Sequence, residues 1–160
     1  MMGSGKTTVG QIVAERLGRQ VRDSDEDIEA QTGRTVREIF EHDGEAAFRA
    51  LESQVLADAL ASTVPLVIAA AGGVVLLPEN RTRLRDGAFT VWLRADPAVL
   101  VDRVGTGDHR PLLADDPARV LQNLSQQRRP LYQEAADAVV DIGMLTPEEV
   151  AEKVLAAMKS

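Results

Sequence analysis

The stretch Gly3-Ser-Gly-Lys-Thr-Thr8 runs directly into apolar residues at helical spacing, Val9, Ile12, Val13 and Leu17, and then into Gly18. No other feature constrains the chain as much. Glycines at such a turn let successive backbone N–H groups wrap an anion, and the following helix points its positive N-terminal end at it. Lys6 is placed to reach the outer oxygens of that anion, and the Thr7 hydroxyl suits a divalent cation. The stretch is the back half of the pattern G-x-x-x-x-G-K-[ST], which joins a strand to a helix and cradles a triphosphate. Gly3, Ser4, Gly5, Lys6, Thr7 and Thr8 are therefore the expected nucleotide-binding residues.

The pattern also makes a demand the sequence does not meet. Its first glycine falls just ahead of Met1, and the strand that should feed the loop has no counterpart. A central strand buries about four apolar side chains, worth about 6–12 kcal/mol, against about 5–15 kcal/mol for a whole domain. Without it, two neighbouring strand edges would be left unpaired inside the protein. The expectation is that Met1 is an internal methionine and that the native product begins about ten residues earlier.

The rest of the chain alternates strands with helices, which implies an α/β domain with a parallel sheet. Strands are expected near Val21, at Leu66–Ala70 within PLVIAAAGG as a buried strand, at Phe89–Leu93 and at Ala138–Asp141. SDEDIEAQTG reads as a helix capped by Ser24 and stopped by Gly33. TVREIFEHDG opens with a capping box, Thr35 and Glu38. EAAFRALESQVLADAL turns Phe48, Leu51, Val55 and Leu56 inward, and PENRTRLRDG is a surface helix. Asp96-Pro97 and Thr146-Pro147 each open a helix as cap and first-turn proline. GTGDHRPLLADD has no periodicity and reads as a mobile loop; the helix after it is expected to kink or reset at Pro130.

Composition narrows the chemistry. The 160 residues suit one domain. No cysteine is present, which excludes disulfides and thiolate chemistry, and two histidines, His42 and His109, are too few for a histidine metal cluster. A net charge of -7 argues against nucleic acid as the main partner, and no apolar run reaches the length of a membrane span.

VRDSDEDIE ends the first of these strands, and ligands of parallel sheets sit at carboxyl ends of strands. Asp23 and Asp25 are therefore placed where phosphates and an acceptor meet. One carboxylate can orient an acceptor hydroxyl and the other can serve a metal ion. Asp27 and Glu29 are read as helix charges with structural roles, and both histidines as exposed.

GSGKTTVG, DSDEDIE and TGRTVREIFEHDGEAAFRALES, taken in order, resemble shikimate kinase. AGGVV at 71–75 is similar to that family's glycine-rich segment, HRPLL at 109–113 to its lid, and RRPLY at 128–132 to its last substrate-arginine segment. The resemblance implies a single domain over 1–160, a P-loop three-layer α/β/α fold. Its parallel sheet has five strands in the family, of which four are visible here. The P-loop and first helix occupy 1–20, the shikimate-binding region 23–60 and the lid 105–116. It implies transfer of the γ-phosphate of ATP to the 3-hydroxyl of shikimate, in aromatic amino acid biosynthesis, with Mg²⁺, by a cytoplasmic monomer.

Residue by residue, the resemblance implies that Asp25 activates the acceptor hydroxyl, that Thr7 and Asp23 serve the metal, Asp23 in its outer shell, and that Arg49 and Arg128 clamp the shikimate carboxylate. It implies that Gly72 and Gly73 present backbone to the substrate ring, that Arg110 stabilises the transferring phosphate with Lys6, and that Arg103 covers the adenine. Read from the residues alone, Arg49 is equally a salt-bridge partner of Glu45 or Glu52, and Arg128 and Arg129 a solvated helix face. Ala71 stands where the family has a glycine; it is harmless unless the position needs a positive φ. A gluconate-kinase-like enzyme and an inactive truncated relative are the alternatives.

Overall fold

The computed structural model describes residues 5–99 and 116–160. Gly3, Ser4, Arg103, His109, Arg110 and the expected lid from 105 to 115 lie outside the described residues.

Helix α1 (Lys6–Leu17) starts at Gly5, whose φ of 73° and ψ of 21° lie in the left-handed region that glycine enters at no steric cost. It leads to β1 (Gln20–Asp23), α2 (Ser24–Thr32), α3 (Val36–Leu60), β2 (Leu66–Ala69), a 3-10 turn (Val74–Leu76) and α4 (Pro78–Gly87). Then come β3 (Val91–Arg94), α5 (Pro117–Ala135), β4 (Ala138–Asp141) and α6 (Pro147–Ala157). The four strands lie where the sequence places them. α3 carries both helical segments expected from 35 to 60, divided at Gly44, whose φ of 84° and ψ of 174° leave helical geometry.

Three local readings are corrected. The N-cap of α2 is Asp23, not Ser24: Asp23 accepts from Asp25 N at 2.9 Å and Glu26 N at 3.5 Å. Ser24 instead ties strand to turn, donating to Ala69 O at 3.4 Å and accepting from Ala71 N at 2.8 Å. α5 runs through Pro130 as one helix from Pro117 to Ala135, so the helix does not reset there. β2 is not a buried strand; Leu66, Val67 and Ile68 are half-buried and only Ala69 is covered.

The last point follows from the sheet. β1 pairs with β2 and β3 with β4, both parallel, in register Val21↔Val67 and Trp92↔Val139. Among the described residues the two pairs are separate sheets. A cavity of about 450 Å³ lies between them, lined by β2, β3 and the apolar face of α1, including Val67, Leu93, Val9 and Val13. The unpaired inner edges expected from the sequence are thus what the described residues show.

Packing divides accordingly. One core joins α1, β4 and α6 through Val13, Val140 and Val150; a second gathers Leu56, Trp92 and Tyr132; a third packs Ile28 and Ile39 against Phe48. Gly10 brings α1 close to the sheet, since a methyl there would already touch Ala69 and Val21 at 3.5 and 3.6 Å. No helix among the described residues is long and apolar enough to cross a membrane.

Candidate active site

The site forms where α1, the end of β1, α3, the 71–73 turn and α5 converge. Lys6 and Thr7 open α1, and Asp23 ends β1 facing them. The Thr7 hydroxyl donates to Asp23 Oδ2 at 2.5 Å, and Lys6 Nζ lies 3.6 Å from the same oxygen and 4.0 Å from Asp25 Oδ2. Burial acts to raise the Asp23 carboxyl, but the Thr7 hydroxyl, the Lys6 charge and two backbone amides outweigh it and hold it below the usual range. Asp23 is therefore a committed carboxylate. Asp25 is half-buried, with its carboxylate toward Lys6. Gly5 and Thr8 are exposed at the entrance of α1.

The acceptor side is built on α3 and α5. Arg49 donates to Glu52 Oε2 at 2.6 Å and to Glu45 Oε1 at 3.2 Å, so the salt-bridge reading of this residue is correct as far as it goes. Its guanidinium also lies 5.4 Å from the Phe48 ring centroid and 5.9 Å from that of Phe40, within cation–π range. Glu52 is 1 % exposed. Burial pushes its carboxyl above the ordinary value, opposed by Arg49, assisted by Asp25 and opposed again by Arg128. Glu52 thus feels the charges of Arg49, Asp25 and Arg128 at once. Arg128 is 7 % exposed, so it is no solvated helix face; Arg129 beside it is exposed.

Gly72 and Gly73 form the turn that follows β2. Tyr132 donates from its hydroxyl to Gly72 O at 2.7 Å and stacks on Trp92 with centroids 5.3 Å apart. Among the described residues no residue other than glycine has a positive φ, so Ala71 is unstrained. Asp27 bonds Arg22 at 2.8 Å and Glu29 accepts from Val36 N, which confirms their structural roles, and His42 is exposed. Of the expected residues, Lys6, Thr7, Asp23 and Asp25 meet at the start of α1, and Arg49 lies against Gly73; Gly3, Ser4, Arg103 and Arg110 lie outside the described residues.

Sequence reasoning missed two contributors. Tyr132, the chain's one tyrosine, is the signal inside RRPLY that could have been read. The Ser24 bridge to Ala69 and Ala71 left no sequence signal beyond its position between two aspartates.

A P-loop helix start facing a carboxylate pair at the end of a parallel strand, with half-buried Arg49 and buried Arg128 on the helices α3 and α5, defines an α/β kinase of the P-loop class. The shikimate kinase family model matches residues 2–159. A shikimate kinase of Salinispora tropica is 48% identical over 158 residues, covering 99% of this chain and 93% of that protein. One from a Psychrobacter species is 43% identical over 159 residues, covering 99% and 88%. The structure of shikimate kinase from Acinetobacter baumannii in complex with shikimate superposes with a TM-score of 0.95 at 37% identity, over 98% of this chain and 88% of that one. The chain belongs to the shikimate kinase family and is an ATP-dependent kinase.

Proposed function

We propose that the γ-phosphate of ATP, held by Gly3 to Thr8, passes to the 3-hydroxyl of shikimate, which Asp25 orients and relieves of its proton. The observation that carries this reading is the approach of Lys6 Nζ to Asp25 Oδ2 at 4.0 Å. A phosphate neutralised by Lys6 and an alcohol bonded to Asp25 would then be in reach of each other, and in-line transfer depends mainly on such positioning.

Arg49 and Arg128 hold the acceptor's carboxylate. Both are largely buried, and a planar guanidinium matches a carboxylate in a way an ammonium does not. A gluconate-like acceptor is also an acid, so the choice between the two falls to the acceptor assay below. Arg110 and Arg103 keep the roles that the resemblance implies.

Thr7 and Asp23 offer hard oxygen donors that suit Mg²⁺, and among the described residues no cluster of three metal-ligating side chains exists. Thr7 and Asp23 would supply one or two oxygens to an ion otherwise held by phosphates and water. When bound, Mg²⁺ supplies neutralisation of phosphate charge. The protein's own part is to keep Asp23 ionised, hold Lys6 over the phosphates and present Asp25. We take the enzyme to act as a cytoplasmic monomer, a single domain over 1–160 with 23–60 as its acceptor region.

The test is ADP formation measured with and without shikimate, with gluconate and a nucleoside monophosphate as competitors. Strict dependence on shikimate, lost by a factor of about 10²–10⁴ in Asp25→Asn, is the expected result. Equal turnover with gluconate would overturn it.

A further inference from the structure

Gly73 sits with φ −81° and ψ −12°, a right-handed conformation open to every L-residue. The backbone therefore does not require glycine here, unlike at Gly5. Space does. A Cβ at position 73 would lie 1.8 Å from Arg49 Nη1, 2.4 Å from its Cζ and 2.9 Å from Nη2. The end of the guanidinium, Cζ with both Nη atoms, fills the volume that a side chain would occupy.

We propose that Gly73 is a positioning and specificity-determining residue: the berth left by its missing side chain seats the Arg49 guanidinium and so sets the enzyme's preference for a carboxylate-bearing acceptor. This rests on the functional reading above and differs from a role for Gly73 in touching the substrate ring.

The other walls of the berth are fixed. Glu52 takes Nη1 at 2.6 Å from the buried side, and the Phe48 ring flanks the guanidinium at 5.4 Å. The turn is pinned from both ends, by Ser24 Oγ on Ala71 N at 2.8 Å and by the Tyr132 hydroxyl on Gly72 O at 2.7 Å. With the turn tied at Ala71 and Gly72, a methyl group at 73 is relieved less readily by the backbone than by the side chain it meets. It is relieved by Arg49, a flexible side chain whose tip swings off Glu52. The fold survives this, because the displaced group is a side-chain end and the new residue fits its dihedrals.

The experiment is a cycle of Gly73→Ala, Arg49→Ala and the double variant, with thermal melts of each. Steady-state kinetics use shikimate, its carboxamide and ATP. The expected result for Gly73→Ala is a rise of about tenfold or more in KM for shikimate, the scale of a lost charge-assisted hydrogen bond. KM for ATP should be unchanged, kcat little changed, and the preference for shikimate over the carboxamide should fall by a like factor. In the Arg49→Ala background, adding Gly73→Ala should cost almost nothing further.

Additive losses would overturn the proposal, since they would mean that Gly73 acts on the ring without Arg49. So would an unfolded Gly73→Ala, or an unchanged KM. A wild-type protein inactive toward shikimate would instead sink the functional reading, which keeps the two failures distinct.

Discussion

The Thr7 hydroxyl and the Asp23 carboxylate meet at 2.5 Å across 16 residues of chain, joining the start of α1 to the end of β1. The same carboxylate caps α2 through Asp25 N and Glu26 N. Asp23 thus has a structural duty and a metal-facing one, and two substitutions separate them. Asn caps as well as Asp, whereas Ala loses about 0.5–2 kcal/mol of cap. Asp23→Asn should melt close to wild type but need far more Mg²⁺ for ADP formation. Asp23→Ala should share the Mg²⁺ defect and also melt lower, by about 2–4 °C for each kcal/mol. A wild-type Mg²⁺ dependence in Asp23→Asn would remove Asp23 from the metal's surroundings.

Replacing Arg49 or Arg128 by lysine tests the clamp. The charge stays and the planar fork goes, so each single variant should lose about 10- to 100-fold in kcat/KM for shikimate, the value of a charge-assisted pair. The loss should appear in KM for shikimate and spare KM for ATP. If ATP binding weakens equally, the arginines serve the nucleotide.

Glu52 predicts a pH dependence of stability. Its carboxyl is raised above 4.5, chiefly by burial, so the folded chain holds a proton there that the unfolded chain has released. Its favourable contribution is full below the unfolded value and is lost as pH rises through the raised folded one. Glu52→Gln removes that titration. The melting temperature of wild type relative to Glu52→Gln should fall as pH climbs from 4.5 through this window and level off above it. Parallel curves would show that Glu52 does not titrate there.

What the sequence disclosed divides along physical lines. Strand positions, caps at Thr35 and Thr146, and stops at Gly18 and Gly33 depend on local chemistry and were legible. Asp23 as cap was not, because Ser24 is an equally good capping residue one place later, and only the fold shows that its hydroxyl is engaged by Ala69 and Ala71. The Arg49–Glu52 pair follows from helical spacing; the seat for Arg49 at Gly73 does not, because it joins α3 to a turn 24 residues on. Tyr132 hid for the same reason, its partner Gly72 being 60 residues away.

The cavity between the half-sheets yields the last prediction. β2 and β3 present backbone N–H and C=O groups toward it, and buried polar groups of the backbone demand a partner. Among the described residues no strand lies between them, and water entering this cavity of about 450 Å³ would satisfy those edges. Such amides open to exchange without unfolding, whereas those bonded across β1–β2 and β3–β4 wait for a larger opening. Hydrogen exchange followed by NMR should therefore find two populations within the same short strands. Cavity-facing amides should exchange about 10³-fold faster than ladder-bonded neighbours, a gap of about 4 kcal/mol and within the range from local to global opening. Uniform protection along β2 and β3 would mean that both edges are paired in solution and the cavity is closed.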